Sequence, residues 1–125
     1  MLEGLPILIV EDQPLIALEL CEIVENFDGR VVGPIASVAE ALVRVDREHV
    51  AGAILDANLL DRDVTPLALR LIEYGTPFVI YSGTGLPAEL ARAHPELPMI
   101  LKPARVITVL AALVDRIRTA NKPAG

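Results

Sequence analysis

Five short apolar runs alternate along the chain with five longer segments in which apolar residues recur every three or four positions. The runs are Leu5 to Val10, Arg30 to Gly33, Val50 to Leu55, Pro77 to Tyr81 and Leu97 to Leu101. They are rich in Val, Ile and Leu with little polar alternation, which predicts strands covered on both faces. Gly52 is the one position the pattern does not account for, because glycine weakens a strand interior.

The intervening segments read as helices. Ile16, Leu20, Ile23, Val24 and Phe27 form a stripe, with Glu19, Glu22 and Glu25 facing elsewhere. Ser37 followed by Glu40 predicts a capping box that opens a second helix running to about Arg47. Thr65-Pro66 predicts the cap and first turn of a third helix, closed by Gly75. Leu86 to Ala93 predicts a short fourth. Val106, Leu110, Leu113 and Ile117 mark the fifth, with Ile107, Ala111 and Val114 beside them widening the core contact. Residues 122–125 read as a disordered tail behind one domain spanning residues 1–121.

Strict alternation of strand and helix implies parallel strands joined by right-handed crossovers, with helices on both faces of the sheet. The expected architecture is an α/β (βα)5 unit with strand order 2-1-3-4-5. Its ligand site is expected outside the carboxyl ends of the strands, near the switch point between strands 1 and 3.

Composition narrows the function. At 125 residues the chain has room for one core, and 53% hydrophobic against 22% charged residues places it among globular chains. Seventeen acidic residues outnumber eleven basic ones for a net charge of −6, which argues against a phosphate-neutralising nucleic-acid surface. Two Phe, two Tyr and no Trp argue against base stacking as well. A single cysteine, Cys21, cannot form an internal disulfide and fits a reducing compartment. There is no basic segment leading into an apolar one at Met1-Leu2-Glu3-Gly4, and no apolar run approaches the ~18 residues of a membrane span. The expectation is a cytoplasmic protein that contacts no membrane.

The residues just after the runs carry the chemistry. Glu11-Asp12 follow the first, Asp56 and Asn58 the third, Ser82-Gly83-Thr84-Gly85 the fourth, and Lys102-Pro103 the fifth. Singly, each has an ordinary explanation: a helix-dipole partner, a turn residue, a loop hydroxyl, a solvated lysine. Together they fall at the one edge where this fold places its ligand. Glu11, Asp12 and Asp56 converging in one pocket would repel unless a cation sat among them, and hard oxygen donors with open positions suit Mg²⁺. A carboxylate beside Mg²⁺ can attack a phosphoryl group, with Lys102 and the Ser82 hydroxyl available for its oxygens.

On these residues the chain resembles the receiver domains of two-component response regulators, CheY-like in fold, over nearly its whole length. The matching positions are Glu11-Asp12, Asp56, Ser82 and Lys102-Pro103. The resemblance implies Mg²⁺ held by Asp12 and Asp56 directly, by Glu11 through a water and by the Asn58 carbonyl. It implies a phosphoryl group accepted on Asp56 from a sensor histidine kinase or a histidine phosphotransfer protein, then held by Ser82 and Lys102. It also implies a cis Lys102–Pro103 peptide, a downstream protein target, a stand-alone monomer or weak homodimer, and no enzymatic turnover beyond self-catalysed phosphotransfer and autodephosphorylation. Asn58 and Thr84 are expected to flank the site and tune the phosphate's lifetime.

Three departures stand out. Met99 occupies the strand 5 position where most receivers carry an aromatic residue. Ile80-Tyr81-Ser82-Gly83 is similar to the Phe-Ala-Thr-Gly-type motif of an atypical receiver subfamily that also lacks that aromatic. Leu60 and Asp61 stand where many receivers have Pro-Gly, and Asp61 and Asp63 read either as solvated loop charges or as a perturbation of the metal site. With Met99 present, phosphorylation is expected to reorder Ser82 to His94 rather than rotate a ring. The alternative functions are a docking module without phosphorylation and, less well matched, a hydrolase of the haloacid-dehalogenase type, whose nucleophile belongs after the first strand.

Overall fold

The ten expected elements form in the expected order in a computed structural model that describes residues 2–121. They are β1 (Pro6–Val10), α1 (Pro14–Asn26), β2 (Arg30–Ile35), α2 (Val38–Arg47), β3 (Gly52–Leu55), α3 (Thr65–Tyr74), β4 (Phe78–Ser82), α4 (Ala88–Ala93), β5 (Met99–Leu101) and α5 (Val106–Ala120). All strand pairs are parallel and the sheet order is β2-β1-β3-β4-β5. The tail expected over residues 122–125 lies outside the described residues.

Strand alternation sorts the sheet's side chains into two cores. Ile7, Ile9, Ile54, Val79 and Tyr81 pack with α1 and α5 through Leu20, Val24, Leu110, Leu113 and Ile117. Leu8, Val10, Ala53, Leu55, Phe78 and Ile80 pack with α2, α3 and α4 through Ala41, Leu67, Leu71 and Leu90. Gly52 is explained on the first side. A Cβ there would stand 2.9 Å from Ile117 Cδ1 and 3.1 Å from Leu113 Cδ1, so glycine lets α5 cross close over β3. On α5 itself, Val114 is buried, Ile107 half-buried and Ala111 exposed, so only part of the expected flanking contact forms.

Several boundaries differ from expectation. β2 continues past Gly33 through Pro34 to Ile35, after a register shift against β1 between Leu8 and Val10. Gly33 makes this possible with φ of 109°, and a Cβ there would meet Ile9 O and Ile35 N at 2.9 Å. Pro34 is tolerated because β2 is an edge strand. Pro87 delays α4 to Ala88, since the residue before a proline is biased away from helix. At the start of α3 the cap position is Val64 rather than Thr65, and the preceding Asp63 accepts through Oδ1 from Thr65 N at 2.8 Å. The Gly33–Pro34 and Lys102–Pro103 peptides are both cis.

At the amino end of α2, the Ser37 hydroxyl accepts from Glu40 N at 3.2 Å. A second cap comes from far along the chain, where the Asp61 carboxylate accepts from Val38 N at 2.8 Å and Ala39 N at 3.0 Å. These two N–H groups hold the Asp61 carboxyl below the usual aspartate range. Asp61 is thus an exposed loop charge that also caps α2, and Asp63 holds the first amide of α3. Among the described residues, no helix is long and apolar enough to cross a membrane.

Candidate functional site

β1 and β3 are neighbours, with Val10 paired to Leu55, so the residues that follow them emerge side by side. This brings Glu11, Asp12 and Asp56 together, each offering an oxygen within 4.8 Å of the others. Glu11 is 3% exposed and Asp56 7%. Lys102 leaves β5 two strands from β3, and its side chain spans β4 to reach them. Its Nζ lies 2.9 Å from Glu11 Oε1 and 3.3 Å from Asp56 Oδ2. Asp56 Oδ1 accepts from Ala57 N at 2.7 Å, and Glu11 Oε2 accepts from Gln13 N at 3.2 Å.

The charges are poised against one another. Burial pushes the Glu11 carboxyl up to about 7, opposed by Lys102 and reinforced by neighbouring Asp56. Burial works against the Lys102 ammonium, but Glu11 and Asp56 outweigh it and hold the amine above its usual value. A divalent cation among the three carboxylates would tip Glu11 to its ionised form. The donor set, three carboxylates with no nitrogen or sulfur ligand among them, fits a hard cation such as Mg²⁺.

Asp12, Asp56, Asn58, Ser82 and Lys102 line one cavity of about 240 Å³, together with Gln13, Gly83 and Thr84. Glu11 sits beneath it through its pairing with Lys102. Ser82 is turned toward Thr84: its Oγ accepts from Thr84 N at 3.1 Å and lies 3.2 Å from Thr84 Oγ1. Asn58 Nδ2 donates to Thr84 Oγ1 at 2.8 Å, so the two expected flanking residues are joined across the cavity mouth. Two larger cavities, of about 270 and 420 Å³, lie at the opposite end of the sheet around Gly75-Thr76-Pro77 and hold none of these residues.

Sequence reasoning missed two participants. Gln13 lines the cavity and fixes Glu11 through its backbone, a role its side-chain type does not signal. Tyr81 lies under Lys102, with Nζ 5.5 Å from the ring centroid. Its signal was available: an aromatic directly before Ser82 in an otherwise aromatic-poor chain.

A doubly wound sheet with this acidic, hydroxyl and lysine constellation at its switch point defines a receiver-type module. The chain belongs to the CheY-like receiver domain family of response regulators. It is 33% identical to SdrG from Sphingomonas melonis Fr1, with a TM-score of 0.76 over 94% of this chain and 98% of that one. Against the BeF3-activated conformation of SdrG, from Pseudomonas melonis Fr1, identity is 39% and the TM-score 0.67, over 86% and 93%. The CheY-like receiver domain protein of Methanospirillum hungatei JF-1 shares the fold at 21% identity, with a TM-score of 0.81 over 94% and 96%. So does the receiver domain of sensor histidine kinase PA1611 from Pseudomonas aeruginosa PAO1, at 18% identity and a TM-score of 0.77 over 91% and 98%; that structure has a magnesium ion coordinated in its active site cleft. No family model and no curated protein matches the chain.

Proposed function

We propose that this protein is a stand-alone response regulator whose Asp56 accepts a phosphoryl group from a phosphohistidine of a sensor kinase or a phosphotransfer protein. It then signals through a downstream protein target. The observation that carries the reading is the Lys102 ammonium held between Glu11 and Asp56 beside a cavity that Asp12 and Ser82 share.

In the reaction an Asp56 carboxylate oxygen forms a bond to phosphorus as the bond from phosphorus to the donor imidazole breaks. The imidazole leaves with the electron pair, and Asp56 becomes an acyl phosphate. Lys102 lies 3.3 Å from Asp56 and is placed to follow the charge onto the phosphoryl oxygens. The Ser82 hydroxyl, whose oxygen accepts from Thr84 N, would donate its proton to a phosphoryl oxygen. Asp12, Asp56 and the Asn58 carbonyl, with Glu11 through a water, would hold Mg²⁺, which would supply charge neutralisation for the phosphoryl group. The group is taken up once per chain, so the protein acts as a stoichiometric acceptor rather than an enzyme of steady turnover.

The decisive experiment is incubation with acetyl phosphate and Mg²⁺, read by intact-protein mass. One phosphoryl group should be gained by the natural chain and none by Asp56→Ala. No gain in either would leave only a docking role, and sustained release of phosphate would indicate a hydrolase.

The route out of the site runs through Ser82 to His94. Only Leu90 of α4 is buried, and Met99 is half-buried against the same core. Segments with few buried apolar contacts open first. Amide exchange across residues 82–94 is therefore expected to change when beryllofluoride and Mg²⁺ are added, and unchanged protection there would remove this route.

A further inference from the structure

We infer that Tyr81 is a positioning residue that clamps the loop between β5 and α5 and thereby aims Lys102. The inference rests on the phosphoacceptor reading above. Tyr81 is 4% exposed, and its hydroxyl engages both backbone groups of Ala104. It donates to Ala104 O at 2.9 Å and accepts from Ala104 N at 3.2 Å. One side chain on β4 thus ties down the residue two places beyond Lys102, while its ring faces the ammonium at 5.5 Å.

The other end of the same stretch is fixed by the ladder, where Lys102 N donates to Ser82 O at 2.9 Å. Lys102 and Pro103 are held between two anchors on adjacent residues of β4, Tyr81 and Ser82. Without the hydroxyl, the Ala104 N–H and C=O lose their partner where the loop turns into α5, and the lysine's backbone gains freedom. A four-methylene side chain must deliver its charge across β4 to Asp56, so a small change at its root becomes a large displacement at Nζ. Tyr81 itself touches neither phosphoryl group nor metal ligands. Its effect passes through Lys102.

This predicts a separation between two ligands at one cavity. Tyr81→Phe keeps the ring and the packing and removes only the hydroxyl. Its affinity for beryllofluoride, which needs Lys102, should fall about tenfold, within the order expected when the two hydrogen bonds of one hydroxyl are lost. Mg²⁺ affinity measured alone should not fall, because the carboxylates are held by β1 and β3 and a loosened Lys102 competes less for them. Tyr81→Leu, which also removes the ring, should weaken beryllofluoride further. Equal beryllofluoride affinity in Tyr81→Phe and the natural chain would overturn the inference, as would a parallel loss of Mg²⁺ binding, which would mark a general disturbance of the fold. A measurement without any variant guards against misfolding: in the natural chain the Ala104 amide should be protected from exchange with and without beryllofluoride, and exchange at open-loop rates in either state would overturn the clamp. Failure of the natural chain to bind beryllofluoride at all would instead refute the phosphoacceptor reading.

Discussion

Lys102→Met is expected to yield a chain that folds best in mild acid and loses stability steeply as pH rises, the loss reaching about 3–5 kcal/mol for two buried carboxylates deprived of their shared cation. In the natural chain burial pushes the Glu11 carboxyl up to about 7 from an ordinary 4.5. A carboxyl raised in this way favours folding fully below 4.5 and loses that contribution as pH climbs through its folded value. Lys102 is what pulls Glu11 down, so its removal drives the folded value higher and widens the window in which stability falls. Thermal denaturation of both chains at about pH 5 and about pH 8 reads this directly. The difference between them should be small in acid and large in base, and Mg²⁺ should recover part of it by standing among the same carboxylates. A loss of equal size at both pH values would show that Lys102 is not the counter-charge the geometry makes it. The same variant should take phosphate from acetyl phosphate about 10²-fold more slowly, since the charge that follows the phosphoryl oxygens is gone.

The second large effect concerns the strand that delivers Asp56. Leu55 is fully buried, pairs with Val10 on one side and Ile80 on the other, and packs into the core beneath α2 and α3. Leu55→Ala should cost about 2–5 kcal/mol, the transfer loss plus a cavity the rigid sheet cannot collapse. Against a typical total of about 5–15 kcal/mol, that is enough to put an appreciable fraction of chains in the unfolded state at elevated temperature. Urea unfolding should show a lower midpoint at unchanged slope. Leu15→Ala is the matched control. Leu15 is 70% exposed on α1, and its loss should stay within about 0.5 kcal/mol. Similar costs for the two would contradict the burial pattern on which the fold rests.

What the sequence revealed, and what it hid, follows from the range of the interactions involved. The order of elements and the sheet topology were legible because each strand announces itself by a local apolar run and each candidate site residue by its place after one. The acidic pair, Asp56, Ser82 and Lys102 were legible for the same reason. Gly52 was not, because its meaning lies in α5 crossing over β3 about sixty residues later in the chain. Asp61 was not, because the helix it caps begins well upstream. The end of β2 was misread because Gly-Pro is ordinarily a stop signal, and only an edge position with a shifted register lets the strand pass through it. Ser82 was placed in the site, but nothing local says that its hydroxyl is turned to Thr84.

Asp61 gives the cavity two walls of unequal compliance. On one side the loop after Asp56 is bolted down, with Asp61 seated on the first amides of α2, Leu60 N bonded to Ala36 O and Val64 N to Ala57 O. On the other side the turn after Ser82 is held by Thr84, whose bonds are the ones a phosphoryl oxygen would compete with. Moving the loop after Asp56 away from α2 would break its bonds to Val38, Ala39 and Ala36, whereas moving the turn after Ser82 would break those between Ser82 and Thr84 and between Thr84 and Asn58.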